Sequence, residues 1–423
     1  MANPEHIALI KQGAAVWNSW YKKHKKVIPD LAKANLHNLS LSGINLKRAD
    51  LNHANFSNSD LTKAQLTNAN LRGANFLGAD LQNANLKGAD LDHVIFFQAK
   101  INLKTIISIK SRRVWEIVNN QTPDKNFAGY DLSNSNLFHA DLSNADLRNA
   151  KLENVNFTNA NLSNAYLYRA DLTSANFQNA NLKNAYFSHA NLTNAYLGGA
   201  LCCGTYFKDA ELQFANLKTT KLSNKTMIDP KWYSVWEIVN RGAVKKNLSG
   251  ADLSNANLQG VNFEEANLTN ANLSHAILRR SNLERANLTN TALVGANICG
   301  VDLEQANLKG TKLKSVIGDR DTQLPLAFKS AKTNLIVQER PESKIPSVNT
   351  SRVDAVVNVS PDQNKSKNKS KSNNSIKGIL LFLGVIGLII AGSYLFLSEK
   401  TDLTFPQTLQ PWKQKPEQLI PAN

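Results

Sequence analysis

The sequence is poor in cysteine, and it lacks the motifs that most metal and nucleotide sites need. Only three of its 423 residues are cysteine. So few cysteines exclude a disulfide framework and are typical of a reducing compartment. Cys202 falls at a position predicted to point inward, and Cys203 and Cys299 fall at outward positions without metal-ligand spacing. No glycine-rich phosphate loop is found either, so the sequence predicts no metal site and no cofactor.

The usual periodicities of helices and strands are also missing over most of the chain. Large apolar residues recur at every fifth position, with a small residue two positions before each and Asp or Asn between. Residues 141–164 show this pattern most plainly, at Leu142, Leu147, Leu152, Phe157 and Leu162. A period of five fits neither an α-helix nor a strand. Each group of five is therefore predicted to be one side of a coil, with three extended residues and a polar two-residue turn.

Phenylalanine indicates how many sides make one coil. It replaces leucine at twenty-residue intervals, at Phe56, Phe76 and Phe96, and in the pairs Phe157/Phe177 and Phe187/Phe207. Four sides of five residues would close a square coil of twenty residues. The phenylalanine rings are then predicted to stack from coil to coil in the core.

This A(D/N)Lxx pattern resembles the signature of the pentapeptide-repeat family. The resemblance implies an all-β solenoid, the right-handed quadrilateral β-helix of that family. Some members of the family are similar to B-form DNA in shape and charge, bind topoisomerases and confer quinolone resistance. The resemblance is highly specific for the fold and nearly silent about function, so it leaves the partner open.

Three repeat blocks are predicted, over residues 31–106, 127–227 and 248–328, the last including a C-terminal cap. Two inserts separate them, at residues 107–126 and 228–247. Both inserts contain the hexamer VWEIVN, which indicates a duplicated module. Each insert is predicted to hold a short helix. In the second, Asp229 and Pro230 are typical of a helix start and Gly242 of a helix end.

An amphipathic helix is predicted within residues 1–30. Asn3 and Pro4 are typical of its first residues, and one apolar face follows, formed by Ile7, Ile10, Ala14, Trp17 and Tyr21. We expect this helix to cap the open edge of the first coil. The KKHKK sequence at its end leaves contact with anionic lipid open as an alternative.

The C-terminal quarter has a different composition. Residues 329–375 are polar and are predicted to form a flexible linker. Residues 376–397 are predicted to be a single transmembrane helix, because Gly378 to Leu397 contain no charged residue. Residues 398–423 form a Pro-rich tail. Lysines are concentrated before the predicted span, which favours a cytoplasmic location for the repeats at a bacterial inner or internal membrane.

These features favour a protein that is not an enzyme. Five of the eight histidines fall at the same turn position of different repeats, with no nucleophile or carboxylate pair beside them, so no catalytic residues are predicted. These are His53, His93, His139, His189 and His275. The net charge is +16, but most of it lies outside the repeats, so no nucleic-acid partner is expected. We predict a membrane-anchored scaffold for unidentified protein partners at the cytoplasmic face. The alternative is a DNA-mimicking, topoisomerase-binding protein, which would need acidic repeats.

Three tyrosines mark a candidate surface for such a partner. Tyr166, Tyr186 and Tyr206 each precede a core residue, and their spacing of twenty places them on one face in successive coils. Aromatic side chains are enriched where proteins meet. The alternative is that the rings stack on each other and only stiffen the face. Tyr196 is expected on the opposite face.

Overall fold

The structure is a computed structural model that describes residues 2–325 and 336–337. The repeats form a right-handed quadrilateral β-helix, in which parallel backbone bridges join each side to the one twenty residues later. One column of such bridges runs through Asn35, Asn55 and Asn75. Leucine, phenylalanine and alanine fill the interior as one continuous core. Most sides are too short to count as strands, so regular strand structure is sparse even though the coils are fully paired.

Each five-residue side repeats the same local geometry. The small and large apolar residues are buried, and the Asp or Asn between them folds its side chain back over the turn. Asn75, for example, accepts a hydrogen bond from the Leu77 amide at 2.9 Å. The last residue of the turn has a positive φ, as at Asn58 with 56°. Asn, His and Gly tolerate this conformation, which explains their abundance at that position.

The predicted phenylalanine positions lie in the core. Phe76 stacks between Phe56 and Phe96, with ring centroids 5.4 and 6.0 Å apart. The same geometry joins Phe157 to Phe177 at 5.0 Å and Phe187 to Phe207 at 5.1 Å. Phe177 and Phe187 also meet edge to face at 5.8 Å, so the two pairs form one aromatic cluster.

Two helices, not one, cover the first coil. Helix α1 spans Pro4–Lys11 and α2 spans Ala14–Lys23. The prediction of a single helix is wrong because Gly13, at φ 99°, breaks it between the two. Trp17 is buried, and its Nε1 donates to the Asn45 carbonyl at 2.7 Å. The helices therefore cover an edge of the solenoid and bond to its free carbonyl groups.

Each insert contains a helix, α3 over Ile109–Val118 and α4 over Pro230–Arg241. In α3, Trp115 Nε1 donates to the Ala99 carbonyl at 2.6 Å, and the Asn119 side chain donates to the Phe96 carbonyl at 3.0 Å. The same contacts recur around α4. Trp236 donates to the Thr220 carbonyl at 2.8 Å and Asn240 to the Leu217 carbonyl at 2.9 Å. The two copies of the VWEIVN module therefore make the same hydrogen bonds to the coil that each one covers.

The coils continue past each insert at one corner. The His93 amide donates to the Asn134 carbonyl at 2.7 Å, and the Phe214 amide donates to the Asn255 carbonyl at the same distance. Elsewhere on the same edges, the helix bonds to carbonyl groups of the coil below it. An insert therefore separates two blocks without ending the core.

Within residues 2–325 and 336–337 there are also four short strands, and all pair in parallel. Strand β1, Leu201–Cys202, pairs with β2, Lys221–Leu222, and β3, Ile317–Gly318, pairs with β4, Ile336–Val337. Strand β4 lies within residues 329–375, which are predicted to be mostly flexible, and it falls in the short apolar patch at 335–337. An apolar pair, here Ile-Val, can bond to the open edge of the last coil.

Cys299, which is also near this end of the solenoid, differs from its predicted position. Its position was predicted to be outward, yet the residue is buried. The Asp319 side chain accepts the adjacent Gly300 amide at 2.8 Å and brings the last turn over this corner. Burial, together with Asp319, raises the pKa of the Cys299 thiol. The thiol is therefore protonated at neutral pH.

The remaining C-terminal predictions lie outside the described residues. These are the rest of the linker at 329–375, the transmembrane helix at 376–397 and the tail at 398–423. Among residues 2–325 and 336–337, no helix is both long enough and apolar enough to cross a membrane.

Candidate partner-binding surface

The three predicted tyrosines form a stacked column on one side of the second block. Backbone bridges join Tyr166 to Tyr186 and Tyr186 to Tyr206. The ring centroids are 5.1 and 4.8 Å apart, and the ring planes are within 16° of parallel. We call these three residues the tyrosine column. The structure places all of them together, so they form one surface.

The backbone under the tyrosine column has no free hydrogen-bonding groups. The Tyr186 amide donates to the Ala165 carbonyl at 2.9 Å. The Tyr186 carbonyl accepts from the Leu167 amide, in the preceding coil, at 2.8 Å. Tyr166 and Tyr206 are bonded in the same way, through both the amide and the carbonyl. A partner cannot add a strand here. It must contact the side chains.

The phenol groups remain accessible although the rings stack. Tyr166 is 47% exposed, and Tyr186 and Tyr206 are half-buried. Burial raises the pKa of Tyr186, with a further contribution from Tyr206 and Tyr166. The Tyr186 hydroxyl is therefore protonated at neutral pH. The column offers flat apolar edges together with neutral hydroxyl groups, a combination that is enriched at protein interfaces.

Different residues border the two ends of the tyrosine column. At one end, Asp146 bridges to Tyr166 and forms an ion pair with Arg148 at 2.6 Å. At the other end, Met227 bridges to Tyr206 and is 48% exposed. The sequence did not indicate Met227, because an extra residue separates it from the twenty-residue register. This methionine extends the exposed apolar surface by one coil.

Tyr196 lies in a different column, between Asn176 and Asn216. Its ring covers Gly198, where an added Cβ would lie 2.5 Å from the ring. Tyr196 thus fills the space left by a glycine and has no tyrosine stacked on it. It provides an internal comparison for the tyrosine column.

The described part of the chain contains no candidate metal site. Across residues 2–325 and 336–337, no cluster of histidine, cysteine and acidic side chains could hold a metal ion. The histidines that recur in the repeats occupy turn positions with positive φ, at His53, His93, His139, His189 and His275. Their positions follow from turn geometry.

A comparison with known families decides the assignment. The family model described as pentapeptide repeats matches more than half of the chain, at residues 30–64, 59–96, 126–154, 150–188, 185–224, 247–285 and 281–317. The chain belongs to the pentapeptide-repeat family. Proteins of this family are generally structural or interaction proteins.

Several solved structures are similar to this pentapeptide-repeat protein. HetL, a pentapeptide-repeat protein involved in heterocyst differentiation regulation in the cyanobacterium Nostoc sp. strain PCC 7120, is 24% identical; the match covers 71% of this chain and 96% of HetL, with a TM-score of 0.17. A pentapeptide-repeat protein from the Arabidopsis thaliana thylakoid lumen is 28% identical over 26% of this chain and 75% of its own, with a TM-score of 0.24.

A third similar structure is QnrB1, a plasmid-mediated fluoroquinolone resistance protein. It is 20% identical, and the match covers 45% of this chain and 85% of QnrB1, with a TM-score of 0.21. A search among curated proteins gave no significant match. The family assignment rests on the repeat matches.

Surface aspartates should make the stability of this pentapeptide-repeat protein depend on acid pH. Burial alone would raise the pKa of Asp146, but hydrogen bonds and the charge of Arg148 hold it below its ordinary value of 3.8. The pKa values of Asp131, Asp141 and Asp252 are also lowered. The unfolded chain then binds protons more readily than the folded one. Stability should be complete above pH ~4 and should be lost as the pH falls through the lowered values.

We therefore expect a thermal unfolding midpoint that changes little between about pH 5 and 7 and decreases below about pH 4. Asp146→Asn should make the decrease less steep, because it removes one of the titrating groups. Circular dichroism at a series of pH values measures both effects. A midpoint that stays constant to about pH 2 would contradict the argument.

Proposed function

We propose that this protein is a non-enzymatic scaffold that binds a protein partner through the tyrosine column. The proposal rests on one observation, that three consecutive coils carry stacked tyrosines where other columns carry Asn or Asp. Coil closure does not require an aromatic side chain there, since Asn161 and Asn181 pair well in a neighbouring column. Accessible tyrosines on a rigid backbone bind at low entropic cost, because their rings are already ordered.

The proposal includes a membrane anchor at residues 376–397, with the solenoid on the cytoplasmic side. Twenty residues without charge, from Gly378 to Leu397, support the anchor, and the preceding lysines support the orientation. Deleting 376–397 should move the protein from the membrane fraction to the soluble fraction. Recovery of the full chain in the soluble fraction without detergent would rule the anchor out, while leaving the tyrosine column to be tested separately.

A DNA-mimicking role is less well supported. Such mimicry requires an acidic surface that reproduces the phosphate charge of DNA. The three repeat blocks instead have 23 basic and 20 acidic residues, so their net charge is close to zero. Several aspartates of the repeats are also neutralised by ion pairs, including Asp141 with Lys125 and Asp252 with Lys231. The charge of the solenoid therefore favours a protein partner that does not recognise a DNA-like surface.

The test replaces the tyrosine column by asparagine, in the variant Y166N/Y186N/Y206N. Asparagine is the native residue of neighbouring columns, where Asn181 accepts the backbone amide two residues on and donates to Asn161. The variant should therefore fold. A photocrosslinking amino acid at the exposed position Lys183, in the turn before Tyr186, would capture the partner in cells. We expect capture to fall about tenfold or more, as for loss of an interface hot spot.

Tyr196→Asn is the matched control, since it removes one tyrosine from another column. It should leave capture at the Lys183 position unchanged. Unfolding midpoints of both variants should be measured in parallel. Undiminished capture by a folded triple variant would show that the tyrosines only stiffen the face. Equal loss of capture in the control would show that the effect is not specific to the column.

A further inference from the structure

One side of the first repeat block carries only positive charge. Its strand positions form the bridge column through Asn45, Gln65, Asn85 and Ile106. The segments that contain them, at residues 42–48, 62–68, 82–88 and 103–109, hold no aspartate or glutamate. They carry five exposed cations, Lys47, Arg48, Lys63, Lys87 and Lys104. We call this side of the block, with its five cations, the basic face.

The neighbouring sides of the same block differ in charge. The bridge column on one side contains Asp30, Asp50 and Asp90, and the column on the other contains Asp60 and Asp80. Lys33, Arg72 and Lys100 lie on the other sides, but aspartates accompany them there, whereas the basic face has cations without any acidic residue. A uniformly basic block would not show this pattern, so the basic face is a local feature of the surface.

Helix α2 enlarges the basic face. The Tyr21 hydroxyl donates to the Lys47 carbonyl at 2.9 Å, and the Asn18 side chain donates to the Gly43 carbonyl at 3.0 Å. These bonds hold the end of α2 beside the first coil. A cleft of about 500 Å³ lies between α2 and the first coils, and Lys22, Lys25 and Gln65 are among the residues that line it. Two further ammonium groups thus face the same side.

These cations have no acidic partners within the described residues. The ion pairs of residues 2–325 involve other side chains, such as Arg72 with Asp92 and Lys110 with Asp131. Uncompensated charges at neighbouring turns repel each other. An anionic surface laid against the basic face would relieve that repulsion and gain attraction from each lysine.

Exposed aliphatic side chains border the basic face where it meets α3. Leu103 is 99% exposed, Ile109 is 89% exposed and Ile106 is 50% exposed. Leu103 lies in a turn beside Lys104, and Ile109 is the first residue of α3. Side chains this exposed project from the surface. Projecting aliphatic groups beside lysines are typical of proteins that bind the membrane interface.

We propose that the basic face binds the surface of a bilayer that contains anionic phospholipids. The lysines contact the headgroups, and Leu103 and Ile109 enter the boundary between headgroups and acyl chains. A nucleic acid fits less well, because Tyr21 is held against the first coil by its bond to the Lys47 carbonyl, and one such ring does not form a row of platforms on which successive bases could stack. An acidic protein also fits less well, since the aliphatic groups project where a protein interface would need complementary pockets.

This contact is distinct from the proposed anchor and from the tyrosine column. A transmembrane helix inserts into neutral and anionic bilayers alike, whereas the basic face requires anionic lipid. Its attraction also weakens as salt screens the charges. The two membrane contacts can therefore be separated in the full-length chain by lipid charge and by salt.

The first test is lysine footprinting on the full-length protein. The chain is incubated with vesicles of phosphatidylcholine, with or without about one-third phosphatidylglycerol, and its exposed lysines are acetylated and quantified by mass spectrometry. We expect Lys47, Lys63 and Lys87 to be protected only by the anionic vesicles, and less so in about 0.5 M salt. Lys100 and Lys151, on other sides of the solenoid, serve as internal controls and should react equally in both.

The second test compares two variants of equal charge. K47Q/K63Q/K87Q/K104Q removes four cations from the basic face, and K100Q/K151Q/K218Q/K221Q removes four exposed lysines from elsewhere on the solenoid. Only the first should lower the partition onto anionic vesicles, by about tenfold or more. Leu103→Ser combined with Ile109→Ser should also lower it, without changing the unfolding midpoint, because both side chains are exposed.

The outcomes decide between the possible ligands. Equal reactivity of the basic-face lysines with and without anionic vesicles would overturn the proposal. Protection by a short DNA duplex in place of vesicles would assign the face to nucleic acid. The tyrosine triple variant should retain the full lysine protection. Loss of lysine protection in that triple variant would show that lipid contact is not confined to the first block.

Discussion

Phe76→Ala should lower the free energy of unfolding by about 3–5 kcal/mol. The Phe76 ring is fully buried and stacks on a phenylalanine in the coil on either side of it. Its removal leaves a cavity that the closed, hydrogen-bonded coils cannot easily fill. Because stability in a solenoid depends on contact between neighbouring repeats, the loss should be felt on both sides of the cavity. Denaturant unfolding followed by circular dichroism measures the total effect.

Phe97→Ala is the matched control for this prediction. Phe97 follows directly after the stack but is only half-buried, and its ring contacts His139 at 6.1 Å. The same substitution there should cost less than half as much. Hydrogen exchange should also show faster opening of the amides of Phe56 and Phe76 in the Phe76 variant alone. A loss below about 1 kcal/mol for Phe76→Ala would mean that the stack does not stabilise the core.

Trp17→Ala should have an effect of similar size, about 3–5 kcal/mol, at the N-terminal end. The Trp17 indole is fully buried between α1, α2 and the first coil. It also donates a hydrogen bond of 2.7 Å to the Asn45 carbonyl, which has no strand beyond it to pair with. Losing the ring opens this edge to water and to pairing with other chains. We expect a lower unfolding midpoint and concentration-dependent aggregation, measured by light scattering.

Trp17→Phe separates the two contributions. It keeps most of the apolar contact and removes the hydrogen bond, so its cost should be well below that of the alanine variant. Tyr21→Phe removes only the more exposed bond to Lys47 and should cost less than about 1 kcal/mol. An alanine variant that unfolds like the wild type would show that the helices are not needed to protect the first coil.

The repeat pattern predicted the solenoid well because each side satisfies the same local requirements. An inward apolar pair and a turn residue with positive φ recur in every five residues, so the geometry is visible in the sequence itself. The phenylalanine and tyrosine spacing follows from the same rule. Residues twenty apart lie one above the other wherever the repeat is unbroken.

Departures from the repeat were harder to predict. Gly13 divides the N-terminal helix, and Met227 lies one residue out of register at the end of the tyrosine column. Cys299 occupies an outward position but is covered by the last turn. For Met227 and Cys299, the sequence contains the residue but does not show the distant group that determines its surroundings.

The sequence by itself determined the coil, its core and the positions of the tyrosine column, because these depend on contacts that repeat at a fixed interval. Only the tertiary structure showed which surfaces those coils create. Lys47, Lys63 and Lys87 are scattered among acidic residues in the sequence, and α2 ends more than twenty residues before the first of them. In the coiled chain the lysines lie on one side of the block and the aspartates on its neighbouring sides. The lysines are then close enough in space to attract one anionic surface together.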